Sequence, residues 1–376
     1  MVDLAWKMML ADRLRFLITV AGVAFAVTLV LTQVGLFLGL LDNASITIDH
    51  LPADLWVTSR NTPNVDFAHQ FPEGYVDRVR SIPGVARADN LLVTFMEIAL
   101  PTGATEGTLV YAMDDFGAWG FPWRIAEGQP AADLRRGSAM ILDDSATGRY
   151  GPFKVGDHRE ILGRRLRIIA RSRDARSFTT TPIAFLDYHR AQAMNPGTLG
   201  GKTSYIVARL EPGASIDAVK AAIRQRLPYN DGYTKDEWAA RSRSYWVRST
   251  GIGLSMAVTV TLGLLVGIVV VAQTLYTSTM EHLKEFGTVK AIGGSNGDIY
   301  RILSRQATAA AVIGFALALV PSYGAMPIVS HAGLKLIIPV PLTGVVFAGT
   351  LVMCLLAALV SFRKVAAIDP ALVFRT

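Results

Sequence analysis

One cysteine, Cys354, stands in a chain of 376 residues, which excludes any intrachain disulfide framework. It lies inside an apolar run, where a thiol packs as a small hydrophobe. Four long stretches lack Asp, Glu, Lys and Arg altogether: between Arg15 and Asp42, Arg248 and Glu281, Arg305 and Lys335, and Lys335 and Arg363. Each exceeds the roughly 20 residues that cross a bilayer, although His331 interrupts the end of the third. A soluble core helix is rarely apolar on every side for so long. The absence of carboxylates and amines inside these runs argues against a proton-coupled carrier, and nothing would line a polar substrate path through the bilayer.

Catalytic and metal-binding patterns are scarce too. The six histidines, at 50, 69, 158, 189, 282 and 331, include no pair at metal-ligand spacing. Asp114-Asp115 and Asp143-Asp144 are adjacent pairs, and neighbours on a strand point to opposite faces. No nucleophile–base arrangement emerges, so no enzyme active site is expected. Gly197–Thr203 reads GTLGGKT, which imitates a phosphate loop. That motif needs a glycine where this chain has Pro196. A strand pattern follows it, not the helix whose N-terminus would hold phosphate. Arginines at 164, 165, 167, 171, 173 and 176 form a basic cluster. It reads as a solvated strand face, with contact to anionic lipid or a partner as the sharper alternative.

What the chain does have is apolar bulk beside ordinary charge: 51% hydrophobic and 18% charged residues. That mixture points to membrane spans plus an aqueous domain. The expected fold is an α-helical membrane protein. Four transmembrane helices (16–41, 249–280, 306–330 and 337–362) carry a large α+β extracytoplasmic domain, 42–248, inserted between helices 1 and 2. The first run is longer than a 7–15-residue signal h-region and has no clear cleavage site after it, so it reads as an uncleaved span. Residues 1–15 hold Trp6 and Lys7 in an amphipathic stretch suited to an interfacial helix. Lys7, Arg13 and Arg15 precede span one, Lys284, Lys290, Arg301 and Arg305 follow span two, and Arg363, Lys364 and Arg375 follow span four. The positive-inside rule therefore places both termini, the middle loop and the tail 363–376 in the cytoplasm. The net charge of +7, from 37 basic and 30 acidic residues, follows from this topology and calls for no nucleic acid.

The outer segment is punctuated. ADLWVTS (53–59), ARADNLLVTFMEIAL (86–100), TEGTLVYAM (105–113) and TSYIVARL (203–210) read as strands. EGYVDRVRSI (73–82) and SIDAVKAAIRQRL (215–227) read as helices, the second with Ser215 as N-cap. The pattern suggests a βαβ module over about 50–104 and 203–235, interrupted by a β-rich subdomain over about 105–200. A helix from Ser249 to Met280 would be about 48 Å long, against about 30 Å of hydrocarbon. Continued upstream through KDEWAARSRSYWVR (235–248), it would form one rod. Gly35-x-x-x-Gly39 and Gly263-x-x-x-Gly267 could let helices approach closely, within the chain or across a dimer.

Between spans two and three, 281–305, the chain does more than turn. Glu281, Lys284 and Glu285 lie one helical turn apart. Gly293-Gly294 stop that helix, and Ser295 can cap the next with Asp298 at the capping-box position. Ile299, Ile302 and Leu303 would make an apolar edge, with Tyr300, Arg301 and Arg305 elsewhere. A short capped surface helix of this kind is a docking element.

EFGTVKAIGGSNGDIYRIL (285–303) resembles the segment between the second and third spans of FtsX-like/MacB-type ABC transporter permeases. The tail FRKVAAIDPALVFR (362–375) is similar to that family's ending. LAWKMMLADRLRFLITVAGVAFAVTLVLTQVGL (4–36), PADLWV (52–57) and TKDEWAARSRSYWVRSTGIG (234–253) look like landmarks of the DevC-like subgroup; residues 105–200 match least distinctly. The resemblance implies a permease subunit of the bacterial inner membrane that passes ATP-driven motion to its periplasmic domain. It implies a homodimer and a separate pair of ABC ATPase subunits that hold ATP and Mg, since this chain carries no Walker motif, cofactor or metal site. It also implies a periplasmic adaptor, a TolC-type outer-membrane channel and a lipidic or amphiphilic substrate. Related branches instead regulate a cell-wall hydrolase or extract lipoproteins. By position, the ATPase contact falls on Gly293 to Arg305, with Glu281 and Glu285 beside it.

Overall fold

The computed structural model describes residues 6, 8, 9, 12–331 and 334–366. The expected interfacial helix over 1–15 and the tail 363–376 therefore lie partly outside the described residues. The helices, in chain order, are α1 (Arg13–Asn43), α2 (Ile46–His50), α3 (Tyr75–Arg80), α4 (Thr147–Tyr150), α5 (Tyr188–Met194), α6 (Pro196–Leu199), α7 (Ile216–Arg226), α8 (Lys235–Arg248), α9 (Ile252–Glu281), α10 (Leu283–Ala291), α11 (Asn296–His331) and α12 (Val340–Ala366). The strands are β1 (Leu55–Ser59), β2 (Phe71–Pro72), β3 (Val85–Ala99), β4 (Thr105–Met113), β5 (Ile125–Gly128), β6 (Ala139–Asp143), β7 (His158–Ile161), β8 (Arg164–Ser172), β9 (Ile183–Asp187), β10 (Lys202–Thr203), β11 (Tyr205–Leu210) and β12 (Asn230–Thr234). The described residues divide into two compact units, one within 1–38, 254–330 and 335–366, the other of 39–253 with 331 and 334.

In the first unit, α1, α9, α11 and α12 are long and apolar enough to cross a membrane. Most of their hydroxyls bond back into their own helices, as Thr32 Oγ1 does to Thr28 O at 2.7 Å and Thr350 Oγ1 to Val346 O at 2.7 Å, while Thr28 Oγ1 reaches Ala318 O of α11 at 3.5 Å. In lipid no water could satisfy them. Val27, Leu31, Val271, Phe315, Met353 and Cys354 share one core.

The four glycines expected to bring helices together are buried. A Cβ on Gly263 would sit 2.6 Å from Leu29 Cδ2, and one on Gly267 2.8 Å from Ala26 Cβ. One on Gly35 would sit 2.7 Å from Leu336 Cδ1. These three pack against other segments of the same chain, the first of the two alternatives expected for them. Gly39 is also buried, in the second unit.

The second unit is built on one long sheet, ordered β12-β1-β11-β3-β4-β9-β6-β8-β5. Strand β3 is its hinge in sequence: Val85–Leu91 pairs with β11, and Leu92–Ala99 pairs with β4. β7 pairs with both β3 and β8, which closes β3, β4, β9, β6, β8 and β7 into a ring. Its strands alternate between two cores. In β4, Leu109, Tyr111 and Met113 enter one core and Val110 and Ala112 the other. β9 does the same with Ile183 and Phe185 against Ala184 and Leu186. Burial on both faces explains why these strands read as continuous apolar runs.

β5 pairs with β8 outside the ring, and β12, β1 and β11 extend the sheet from β3, covered by α3 and α7 through Val76, Val79, Val219 and Ile223. Ser215 caps α7, accepting from Ala218 N at 3.3 Å. Thr234 and Glu237 close a capping box at the start of α8, with bonds of 3.2 and 2.8 Å.

Two expected continuities change. α8 and α9 are not one rod. The first ends at Arg248, and Gly251 takes φ +73, a left-handed conformation that only glycine adopts cheaply. Conversely, the short helix expected over the polar turn is not separate: α11 runs unbroken from Asn296 to His331. Nothing in ILSRQATAAAV interrupts it, since neither Gly nor Pro occurs there.

Candidate functional site

α9 ends at Glu281, α10 follows, and α10 stops at a glycine pair. Gly293 has φ +97 and donates to Lys290 O at 3.1 Å, while Gly294 N donates to Val289 O at 2.8 Å. This 5→2 and 6→1 pairing is a Schellman stop. A Cβ on Gly294 would stand 2.6 Å from Val289 O, so both glycines are required, for different reasons. The next helix begins with a reciprocal cap. Asp298 N donates to Ser295 Oγ at 3.2 Å, and Asp298 Oδ2 accepts from Ser295 N at 3.0 Å and Ser295 Oγ at 2.8 Å. Arg301 approaches Asp298 at 3.4 Å.

The expected apolar docking edge is corrected by burial. Ile299, Ile302 and Leu303 are no more than 2% exposed and join the core with Phe286 of α10. The first turns of α11 belong to the bundle, so these side chains face its interior. Tyr300 also turns inward, its ring 5.5 Å from that of Phe362 on α12. What the segment offers to solvent is different: Ile292, 81% exposed, directly before the glycine stop, with Asn296, Gly297, Arg301 and Arg305 exposed after it. Sequence periodicity missed Ile292. The only signal was its place as the last side chain before Gly293-Gly294, where the helix that might have buried it ends.

The expected charged residues divide. Glu281 is ion-paired with Arg15 at the foot of α1, and Arg15 also meets Asp12 at 3.1 Å. Glu285 is exposed and lies 3.2 Å from His282 Nδ1. The Lys284 side chain lies outside the described residues. The tip is therefore short and rigidly capped. It is rooted in the helix bundle by Phe286 and Ile299, and tied to α1 by the Arg15–Glu281 pair.

In the second unit, the residues that follow α1 and those that precede α9 are pinned together. Ser242 Oγ donates to Ala44 O at 2.6 Å, and Arg243 reaches Ser45 Oγ at 2.7 Å and Asp49 at 3.4 Å. Phe178 stacks on Trp246 with ring centroids 3.9 Å apart, in one small core with Ala44. None of these contacts was legible from spacing. Asp66 is buried in the same unit and accepts from Phe178 N at 3.3 Å. Loss of solvent pushes its carboxyl up from 3.8 to about 7, against the smaller opposing effect of that hydrogen bond.

Among the described residues, no group of three or more His, Cys, Asp or Glu side chains could hold a metal ion. The GTLGGKT stretch forms the end of α6, a turn and β10, with no helix N-terminus aimed at a phosphate.

Residues 16–226 match the family model of the MacB-like periplasmic core domain, and residues 257–370 match that of the FtsX-like permease C-terminal. An uncharacterized ABC transporter permease of Mycobacterium bovis is 28% identical over 380 residues, covering 99% of this chain and 97% of the relative. One of Mycobacterium tuberculosis is 27% identical over 385 residues, with the same coverage of 99% and 97%. The solved periplasmic region of MacB from Actinobacillus actinomycetemcomitans aligns at 10% identity and TM-score 0.39, covering 50% of this chain and 92% of that one. With four membrane-spanning helices and a large α+β extracytoplasmic domain placed between the first and second, the chain belongs to the MacB/FtsX family of ABC transporter permeases.

Proposed function

We propose that this chain is the non-catalytic membrane subunit through which a separate pair of ABC ATPase subunits moves the extracytoplasmic domain. The ATP and Mg reside on those partners. The observation that carries the reading is the tip between α9 and α11. Among its described side chains it exposes one large apolar group, Ile292, with Arg301 and Arg305 exposed on the helix that follows, yet its own roots, Phe286 and Ile299, are buried in the bundle. A partner that grips the tip displaces packed helices and does not merely bend a loop.

In this reading both termini and the tip face the cytoplasm of a bacterial inner membrane, because the basic residues cluster there. The apolar spans offer no polar path, so force is what crosses the bilayer. A second copy of the chain completes the unit. The exposed stripe Val258, Leu262, Leu265 and Val269 on α9 has the 4-3-4 spacing of a helix seam, and we assign the dimer contact to it. A periplasmic adaptor and a TolC-type channel would carry a lipidic or amphiphilic substrate onward.

The test is coupling in the assembled complex. The full chain in nanodiscs should stimulate ATP hydrolysis by the ABC ATPase pair that co-purifies with it. Absence of any such ATPase from the purified complex, or hydrolysis indifferent to the tip, would sink the proposal.

A further inference from the structure

Four arginines of the cluster seen in the sequence separate in the structure into two pairs with different surroundings. Arg171 and Arg173 are neutralised: Asp144 lies 2.7 Å from the first and 3.3 Å from the second, and Arg171 also has Glu127 at 3.6 Å. Arg164 and Arg165, at the start of β8, are exposed and have no carboxylate within ion-pair distance among the described residues. Glu160 stands across the strand pair from Arg165 without closing on it. A third guanidinium joins them from α5. Arg190 Nη1 donates to Ser138 Oγ at 3.1 Å, while its Nε is buried with no hydrogen-bond partner. These three side chains line one cavity of about 450 Å3, whose other walls include Leu166, Ala193 and Met194.

A buried guanidinium N–H without a partner is costly to leave unmade. Three cations sharing a concave wall repel one another unless an anion joins them. Guanidinium forks match phosphate oxygens. Free phosphate would fill little of the cavity, which is within the usual range for small-molecule sites. The apolar wall beside the arginines suits methylene groups attached to the anion. We propose that this pocket of the extracytoplasmic domain binds the phosphate head of an amphiphile. Arg164 and Arg190 hold the head, and Ala193 and Met194 cover the first carbons of its tail. This assignment requires no ATPase partner, so its failure would leave the coupling reading standing, and the reverse.

The experiment is calorimetric titration of the full chain, held in a neutral detergent, with dihexanoyl phosphatidic acid, inorganic phosphate and a hexaglutamate peptide. The short-chain phosphatidic acid should bind saturably, and more weakly as salt rises. The double variant Arg164→Gln/Arg190→Gln should lose about tenfold or more in affinity, as expected for charge-assisted bonds. Arg164→Gln alone, at an exposed position, should lose part of it without altering the thermal midpoint. Arg224→Gln, which removes the same charge from an exposed position on α7, should bind like the wild type. No saturable binding by the wild type, or undiminished binding by the double variant, would overturn the proposal. Equal affinity for inorganic phosphate would overturn the amphiphile and leave a plain anion site. Tighter, arginine-dependent binding of the peptide would overturn it in favour of an acidic protein partner.

Discussion

Ile292 and Ile299 stand seven residues apart in one segment, and the structure gives them opposite roles. Ile292 is 81% exposed, and Ile299 is 0% exposed in the helix-bundle core. Truncating a buried isoleucine to alanine ordinarily costs about 2–5 kcal/mol in transfer and cavity terms. Near lipid the transfer part shrinks, since hydrocarbon outside the bundle is as apolar as the core. Ile299→Ala should therefore cost about 2 kcal/mol, nearly all from lost packing. Ile292→Asp should change stability by less than about 0.5 kcal/mol, as exposed substitutions usually do. Its effect belongs to partner binding. Fully burying one isoleucine is worth about 1.5–3 kcal/mol, or roughly 10- to 150-fold in affinity. The assay pairs two readings on each variant of the full chain in nanodiscs: thermal midpoint, and the concentration of ABC ATPase that gives half-maximal stimulation. Ile292→Asp should shift only the second, and Ile299→Ala chiefly the first. If Ile292→Asp stimulates like the wild type while Ile299→Ala loses stimulation at unchanged stability, the buried edge would be the docking surface after all, and the reasoning from burial would fail.

Gly294→Ala places a methyl 2.6 Å from Val289 O, and should cost about 1–3 kcal/mol through forced backbone movement; it should lower coupling without touching Ile292, measurable as reduced ATPase stimulation at normal expression. Asp66 has a carboxyl raised from 3.8 to about 7 by burial, so stability tied to it is complete below pH 3.8, declines as pH rises, and is lost once pH passes about 7. At about 1.4 kcal/mol per pH unit this amounts to about 4 kcal/mol. Asp66→Asn should therefore raise the thermal midpoint at pH 8 and much less at pH 5; equal gains at both would show that the carboxyl is not perturbed. For the dimer seam, Leu262→Cys in a Cys354→Ser background should cross-link two chains in native membranes under mild oxidant. Cys354 is buried, so the parent protein should give little background, and a variant that stays monomeric would count against the α9 seam.

Legibility followed the range of the interactions involved. Spans were readable because lipid demands long uncharged runs, and that demand is local in sequence. The strands β1, β3, β4 and β11 and the helix α7 were readable because turns such as Pro101-Thr102-Gly103 and caps such as Ser215 act within a few residues. The cap of Ser295 by Asp298 was readable for the same reason. Which side of a helix faces its own bundle was not. Ile299 and Leu303 form an apolar edge in any helical projection, and only the presence of α12 and α10 decides that the edge is internal. The glycine pair at 263 and 267 was legible only in part: close approach was foreseeable, but Leu29 and Ala26 as the approaching partners were not. The ring of six strands was beyond reach, because β3 meets β7 across some sixty residues of chain and period-two patterning carries no pairing information.

The break at Gly251 bears on how motion could pass along the chain. A continuous rod from α8 through α9 would transmit a displacement by its own stiffness. With φ +73 at Gly251, that stiffness is interrupted, and α8 must receive any displacement through what it packs against. Its contacts answer this requirement. Ser242 and Arg243 bond to Ala44, Ser45 and Asp49, and Trp246 shares a core with Ala44 and Phe178. The chain leaving α1 and the chain entering α9 are thus one block inside the extracytoplasmic domain. Trp238 and Ala239 of α8 reach on into the core that holds Trp56, Tyr111 and Phe185. In the proposed coupling, a shift of either entering segment would be shared by both and delivered to the sheet. The helix break at Gly251 is then compatible with the proposed force transmission, because a packed block, and not a single helix, would carry the load.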